Sequence, residues 1–272
     1  MGNEEAAGPA RRRVIRRPAA AGTFYPADAG VLRRTIDELL EGDTARPGST
    51  SSPKALIVPH AGYVYSGPVA ACAYASMRGE RVRRVLLLGP AHFVALEGAA
   101  TPAAAAWATP LGDVPIDPEL VAVAAEAGAS VSDRPHGPEH ALEVQLPFLL
   151  RTLQPGFTIL PVAVGVTRTD DVASLLERLW DRADLVVVST DLSHYLDDET
   201  AKRIDRATAD AVLARDAAAI AEGSACGAFA LRGLVELARR RDLTIRLLDL
   251  RTSADTAGDQ RRVVGYGAFA VA

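Results

Sequence analysis

The amino-acid sequence predicts an α/β protein, a single three-layer α/β/α domain on a central, largely parallel or mixed sheet. Two patterns carry that expectation. Six short runs rich in leucine and β-branched residues have the length of strands buried on both faces, and segments with helical apolar spacing alternate with them along the 272 residues. A hydrophobic content of 49% beside 24% charged residues supplies enough apolar side chain for a substantial core.

In chain order, residues 1–18 read as a flexible tail, because they offer too little apolar surface to offset the entropy of ordering them. A first helix is expected over 29–41, followed by the surface connection "EGDTARPGSTSSPK" (41–54). The first core strand is "ALIVP" (55–59), then come a helix over 68–78 and the strand "RVLLLG" (84–89). Residues 99–106 form an alanine-rich tract without a strand or helix pattern of its own. Helices over 117–127 and 139–153 precede the strand "FTILPVAV" (157–164), and a helix over 171–182 precedes "LVVVST" (185–190). Two helices, 199–221 and 228–241, lead to the strands "IRLLDL" (245–250) and "VVGYGAFA" (263–270). The alternation argues for one folded unit over 19–272 rather than two domains.

A formal charge of −4 and dispersed arginines, apart from "ARRRVIRRP", provide no electrostatic footprint for nucleic acid. The paired arginines are not followed by the apolar stretch of roughly 7 to 15 residues that an export signal needs. No apolar run approaches the roughly 20 residues needed to cross a bilayer. The chain has 2 cysteines, too few for a disulfide framework, which fits a reducing cytoplasm.

Chemistry is expected where histidines fall, and the chain has 5 of them. His60, His92 and His194 each lie just past the end of a predicted core strand, in "PHAG", "GPAH" and "STDLSH", where ligands of open α/β sheets collect. A histidine at one strand end is as readily structural as functional; three at equivalent positions point to a site. His140 and Glu143 share a face of the expected helix in "GPEHALEVQLPFLL", and spacing alone favours an exposed polar helix start. His136, in the preceding loop, is expected to be exposed.

Cys226 lies in "EGSACGAFALRG" at a turn before a helix, where a helix N-terminus favours thiolate. Cys72, among small apolar residues, reads as core packing. Two imidazoles and a thiolate make a soft three-donor set for zinc, iron or copper, with no local spacing motif to tie them together. Tyr63 and Tyr65 are candidates for pocket lining or for simple packing. Gly62 is expected to permit a tight turn after the strand.

The segments "GTFYPAD" (22–28), "IVPHAGYVYSG" (57–67), "LLLGPAH" (86–92), "EHALEVQLPFL" (139–149), "STDLSHY" (189–195) and "CGAFAL" (226–231) occur in the order and spacing of the Memo family. The chain resembles its bacterial and archaeal branch, called AmmeMemoRadiSam system protein B, from about residue 14 to the end. That family is similar in fold to the LigB-like class III extradiol dioxygenases, which hold iron(II) with two histidines and a glutamate. The resemblance implies His60, His92 and Cys226 as metal ligands, with iron(II) first and copper or zinc as alternatives. It implies His140 and His194 as proton-transfer residues, which moves His140 into the pocket, and Asp191 as a residue that orients an imidazole or hydrogen-bonds a ligand.

Two departures bear on these expectations. Cysteine replaces the usual facial-triad carboxylate, which weakens the case for dioxygenase activity, and Phe93 stands where many members carry a second histidine. The expected activity is a metal-dependent oxidoreductase, with zinc hydrolysis a second enzymatic reading. The alternative is a non-catalytic module that binds metal or a peptide and partners a radical SAM enzyme and an AMMECR1-like protein.

Overall fold

The computed structural model describes residues 14–42, 52–257, 259 and 261–272. In chain order the elements are β1 (Ile15–Arg16), α1 (Ala29–Glu41), β2 (Ala55–Val58), α2 (Tyr63–Tyr74), β3 (Arg84–Pro90), β4 (Ala99–Thr101), β5 (Ala106–Thr109), β6 (Gly112–Pro115), α3 (Pro118–Glu126) and β7 (Ser130–Val131). They continue with α4 (Gln145–Thr152), β8 (Thr158–Val164), α5 (Thr169–Trp180), β9 (Leu185–Ser189), β10 (His194–Leu196), α6 (Asp198–Leu213), α7 (Ala228–Arg240), β11 (Ile245–Thr252), α8 (Ser253–Ala257) and β12 (Val263–Val271).

The main sheet has the order β10-β12-β2-β9-β3-β8-β4-β7, with β11 also on β12. Its centre, β2-β9-β3-β8, is parallel, whereas β12 joins β2 and β4 joins β8 antiparallel, so the sheet is mixed. Alternation along the central strands builds two cores. Ala55, Ile57, Leu86, Leu88, Val186 and Val188 face α3, α5, α6 and α7, while Leu56, Val58, Val85, Leu87, Leu185 and Val187 face α1, α2 and α4. Burial on both faces is why these runs are continuously apolar rather than alternating. The fold is the expected α/β/α sandwich.

Several boundaries differ from the sequence pattern for local reasons. α2 begins at Tyr63, five residues before Pro68, directly after the β2 turn; its first turn is pinned by the Tyr63 N–H donating to the Phe24 carbonyl at 2.8 Å. α4 begins only at Gln145, because Glu139 turns its carboxylate onto the backbone N–H groups of His140 and Ala141 (both 2.9 Å) and 141–144 form turns instead. α6 ends at Leu213, and Arg215 takes a left-handed conformation (φ 58°) before two short 3₁₀ turns. β4 and β5 lie at the two ends of the alanine-rich tract, where Thr101, Trp107 and Thr109 stand among too many alanines to mark a strand in sequence.

Of the expected tail over residues 1–18, the described part, 14–18, belongs to the fold. Residues 1–13 lie outside the described residues, as do 43–51 of the expected 41–54 connection, but β1 pairs with β5 in a small second sheet, order β1-β5-β6. Arg16 holds it there: its guanidinium lies 4.4 Å from the buried Trp107 ring and donates to Glu143 (2.5 Å) and to the carbonyls of His136 (2.7 Å) and Glu139 (2.6 Å). The arginine that reads as part of a solvated basic cluster is thus a buried anchor. Among the described residues no helix is long and apolar enough to cross a membrane.

Candidate metal and proton-transfer site

Because β2, β9 and β3 are adjacent and parallel, the residues following them emerge side by side. A cleft of about 790 Å³ opens there, and His60, His92, His140, Asp191, His194 and Cys226 all line it. The size suits a small-molecule site. Ligand atoms of His60, His92 and His140 lie within 4.8 Å of one another, close enough to share an ion.

Three of the cleft imidazoles are each fixed through Nδ1. Ser189 donates its single hydroxyl proton to the Ala141 carbonyl (2.7 Å) and accepts from the Gln145 side-chain amide (2.8 Å), so the His60 Nδ1–H donates to Ser189 Oγ at 3.0 Å. The lone pair of neutral His60 is therefore on Nε2. His92 follows the same logic: its Nδ1–H donates to Glu139 Oε1 (2.9 Å) and its backbone N–H to Oε2 (2.6 Å), leaving Nε2 as the donor for an ion. His194 Nδ1 donates to the Leu192 carbonyl at 2.8 Å, which places its Nε2 lone pair available to accept a proton. His140 is held between Phe24 and His92 with ring centroids 4.1 and 4.9 Å away, and its buried Nδ1 has no hydrogen-bond partner.

Cys226 adjoins this group through His60: its thiol donates to His60 Nε2 at 3.2 Å and accepts from the Asp191 N–H at 3.3 Å. The expected lowering of the thiol pKa by the start of α7 is overturned; burial, then the neighbouring Asp191, push it upward. The turn there requires glycine, since a Cβ on Gly227 would stand 2.8 Å from the Thr190 Cβ. Gly62, by contrast, has φ −54° and ψ 144°, open to other residues, so its expected special freedom is not used.

Burial keeps the His60 and His140 imidazoles neutral. Burial, reinforced by His92, lowers the His60 pKa to about 3, and burial, reinforced by His60, lowers that of His140 to about 4. Burial alone would raise Glu139, but donation from His92 and Ala141 outweighs it and holds the carboxyl down to about 2. Asp191 is raised by burial, and its Oδ1 accepts from the backbone N–H groups of His60 (2.7 Å) and Ala61 (3.3 Å). It positions the turn that carries His60 rather than an imidazole ring.

The remaining expectations divide. His136 is fully buried rather than exposed: its Nε2 meets the Ala100 carbonyl at 3.1 Å, and Trp107 packs edge-on against it. Tyr63 packs in the core and donates to the Val144 carbonyl (2.6 Å), whereas Tyr65 lines the cleft. Cys72 is buried on α2. Phe93 meets His140 edge-on with centroids 5.8 Å apart. Sequence pattern did not reveal the roles of Ser189, Gln145 and Glu139; the available signal was a buried-looking segment carrying polar residues, "EHALEVQ".

Fold and site together define an α/β protein with a histidine-lined cleft at the C-terminal ends of its parallel strands. The chain belongs to the Memo family: the family model described as Memo-like protein matches residues 16–270. It is similar to the MEMO1 family protein of Aeropyrum pernix, 36% identical over 94% of this chain and 99% of that protein. The counterpart from Methanothermobacter thermautotrophicus is 37% identical over 93% and 99%, and that from Aquifex aeolicus 35% over 93% and 97%.

Proposed function

We propose that the cleft is the metal centre of an oxidoreductase, in which His60, His92 and Cys226 hold the ion. The observation that carries this reading is the convergence of imidazole donors within 4.8 Å, with the Nδ1–H groups of His60 and His92 tied back so that their Nε2 lone pairs are free. The Cys226 thiol already touches the Nε2 side of His60, and a cation there would displace its proton and gain a thiolate donor. The likeness to LigB-like dioxygenases favours iron(II), and the sulfur donor accommodates copper or zinc. Such an ion, when bound, acts as a Lewis acid and, if iron or copper, as an electron carrier.

The chain's own groups divide the remaining work. His194 Nε2 accepts a proton from a molecule in the cleft, with its ring orientation fixed by the Leu192 carbonyl. His140, neutral and sandwiched between rings, carries a second proton path. Asp191 keeps the His60 turn in place.

Elemental analysis of full-length protein purified without oxygen tests the proposal. Stoichiometric transition metal is expected in the wild type and is lost in His92→Ala and in Cys226→Ala; a wild type without metal, or His92→Ala with its metal intact, overturns it. The tight grouping of His140 with the other two imidazoles favours a second, all-nitrogen ligand set. In that case His140→Ala loses the ion and Cys226→Ser keeps it.

A further inference from the structure

We propose that the substrate of this cleft is a small organic monoanion, a carboxylate on a flat apolar body, and that Arg262 receives the carboxylate. The inference rests on the cleft being the reacting site and names what enters it. Among the described residues lining the cleft, Arg262 is the only lysine or arginine. The structure gives Arg262 no carboxylate partner among the described residues: the nearby Asp259 is engaged by Arg261 at 3.3 Å, and Asp191 by the backbone N–H groups of His60 and Ala61. The two carboxyls of the lining, Asp191 and Asp259, are thus taken up by other donors, which leaves the Arg262 guanidinium to receive a carboxylate from outside, and its planar fork matches one with two parallel hydrogen bonds.

Its placement is supported by an otherwise unexplained backbone feature. Tyr195 adopts φ 59°, a left-handed conformation that residues with bulky side chains seldom take. In that conformation its ring lies 5.1 Å from the Arg262 guanidinium and meets the neighbouring His194 ring with centroids 5.8 Å apart. The strained residue therefore links the anion receptor to the proton acceptor. The cleft also has an apolar and aromatic wall, with Phe24, Tyr65, Val264 and Tyr266 lining the same space. An anion held at Arg262 would lay its apolar body along that wall, with its far end toward the His60 and His92 donors.

Charge decides between carboxylate and phosphate. A single guanidinium balances one negative charge, whereas sites built for phosphoryl dianions gather several arginines. A monoanion is the better match for one arginine in a cleft that Asp191 and Asp259 also line.

Isothermal titration of benzoate, benzyl alcohol and phenyl phosphate into the full-length protein tests the assignment, using wild type, Arg262→Gln, Arg262→Lys and His92→Ala. Benzoate is expected to bind the wild type, to weaken about tenfold or more in Arg262→Gln, and to recover in part in Arg262→Lys, as loss of a charge-assisted contact demands. Benzyl alcohol should bind wild type and Arg262→Gln equally, and His92→Ala should retain benzoate even where it loses its metal. The proposal is overturned if benzoate fails to bind the wild type, or binds Arg262→Gln unchanged. It is also overturned if phenyl phosphate binds more tightly than benzoate, or if benzoate binding disappears with His92 but not with Arg262. The metal content of His92→Ala reports separately on the metal centre, so the two readings fail independently.

Discussion

Acidification should destabilise the ion-free protein steeply between about pH 7 and 5, because the native fold buries imidazoles that the unfolded chain protonates. His60 is held down to about 3, and His136 and His140 to about 4, against an ordinary value of 6.5. Their contribution to stability is complete above about 6.5 and is lost as pH falls toward those depressed values, since only the unfolded chain takes up the protons. Between roughly pH 7 and 5 each ring accounts for about 2 kcal/mol, so three account for about 5 to 6 kcal/mol. Burial raises the carboxyl pKa of Asp191 and Asp205, and protons retained there in the native state offset part of this loss. The three-ring contribution is a large share of a domain's usual stability of roughly 5 to 15 kcal/mol, and the net fall is its surplus over that offset. Urea unfolding with a chelator present, at roughly pH 7, 6 and 5, measures it directly. In His136→Gln, which leaves the cleft donors in place, the fall should shrink by about 2 kcal/mol. A wild-type midpoint that does not move over this range, or a His136→Gln protein with an undiminished fall, would show that these rings are not buried neutral.

Glu139→Gln keeps the volume but replaces the carboxylate that orients His92, and metal affinity should drop roughly 10- to 100-fold in equilibrium dialysis, with little change in the circular dichroism spectrum. Arg16→Ala leaves the fully buried Glu143 carboxylate without its cation and should cost about 3 to 5 kcal/mol in urea unfolding, far more than loss of a surface arginine. Gly265→Ala would put a Cβ 1.8 Å from Asp205 Oδ2 and should lower the thermal midpoint sharply; pairing it with Asp205→Ala should recover part of the loss.

Much of this architecture is legible in sequence because its signals are local. The runs around 55–58, 84–90, 158–164 and 185–189 are apolar throughout, since each strand is covered on both faces, and that pattern requires no knowledge of neighbours. The histidines past the ends of β2, β3 and β9 are legible for the same reason: strand ends can be located, and parallel strands bring their ends together. What escapes the sequence depends on long-range partners. Arg16 reads as one of several tail arginines until Glu143, 127 residues away, is seen beneath it, and His136 reads as a loop residue until Trp107 and the Ala100 carbonyl close over it. The behaviour of Cys226 escapes because a helix N-terminus is visible in sequence, whereas burial beside Asp191 is not.

The stretch from Glu139 to Gln145 shows how His60 and His92, on different strand ends, are kept in register. Glu139 fixes the His92 ring and backbone, the Ala141 carbonyl takes the Ser189 hydroxyl and so sets the His60 tautomer, and Gln145 bonds both Ser189 and the Pro59 carbonyl that precedes His60. Glu143 collects Arg16, the Ala19 and Ala20 N–H groups and the Tyr25 hydroxyl, which brings Phe24 onto His140. A regular helix over this stretch would direct its backbone groups inward along its own axis and leave none for Ser189 or Arg16. Irregular turns, held by buried carboxylates, free those groups to reach both strand ends at once. That is the physical reason α4 starts late: helical hydrogen bonds in 139–144 are exchanged for contacts that aim His60 and His92 at the same point.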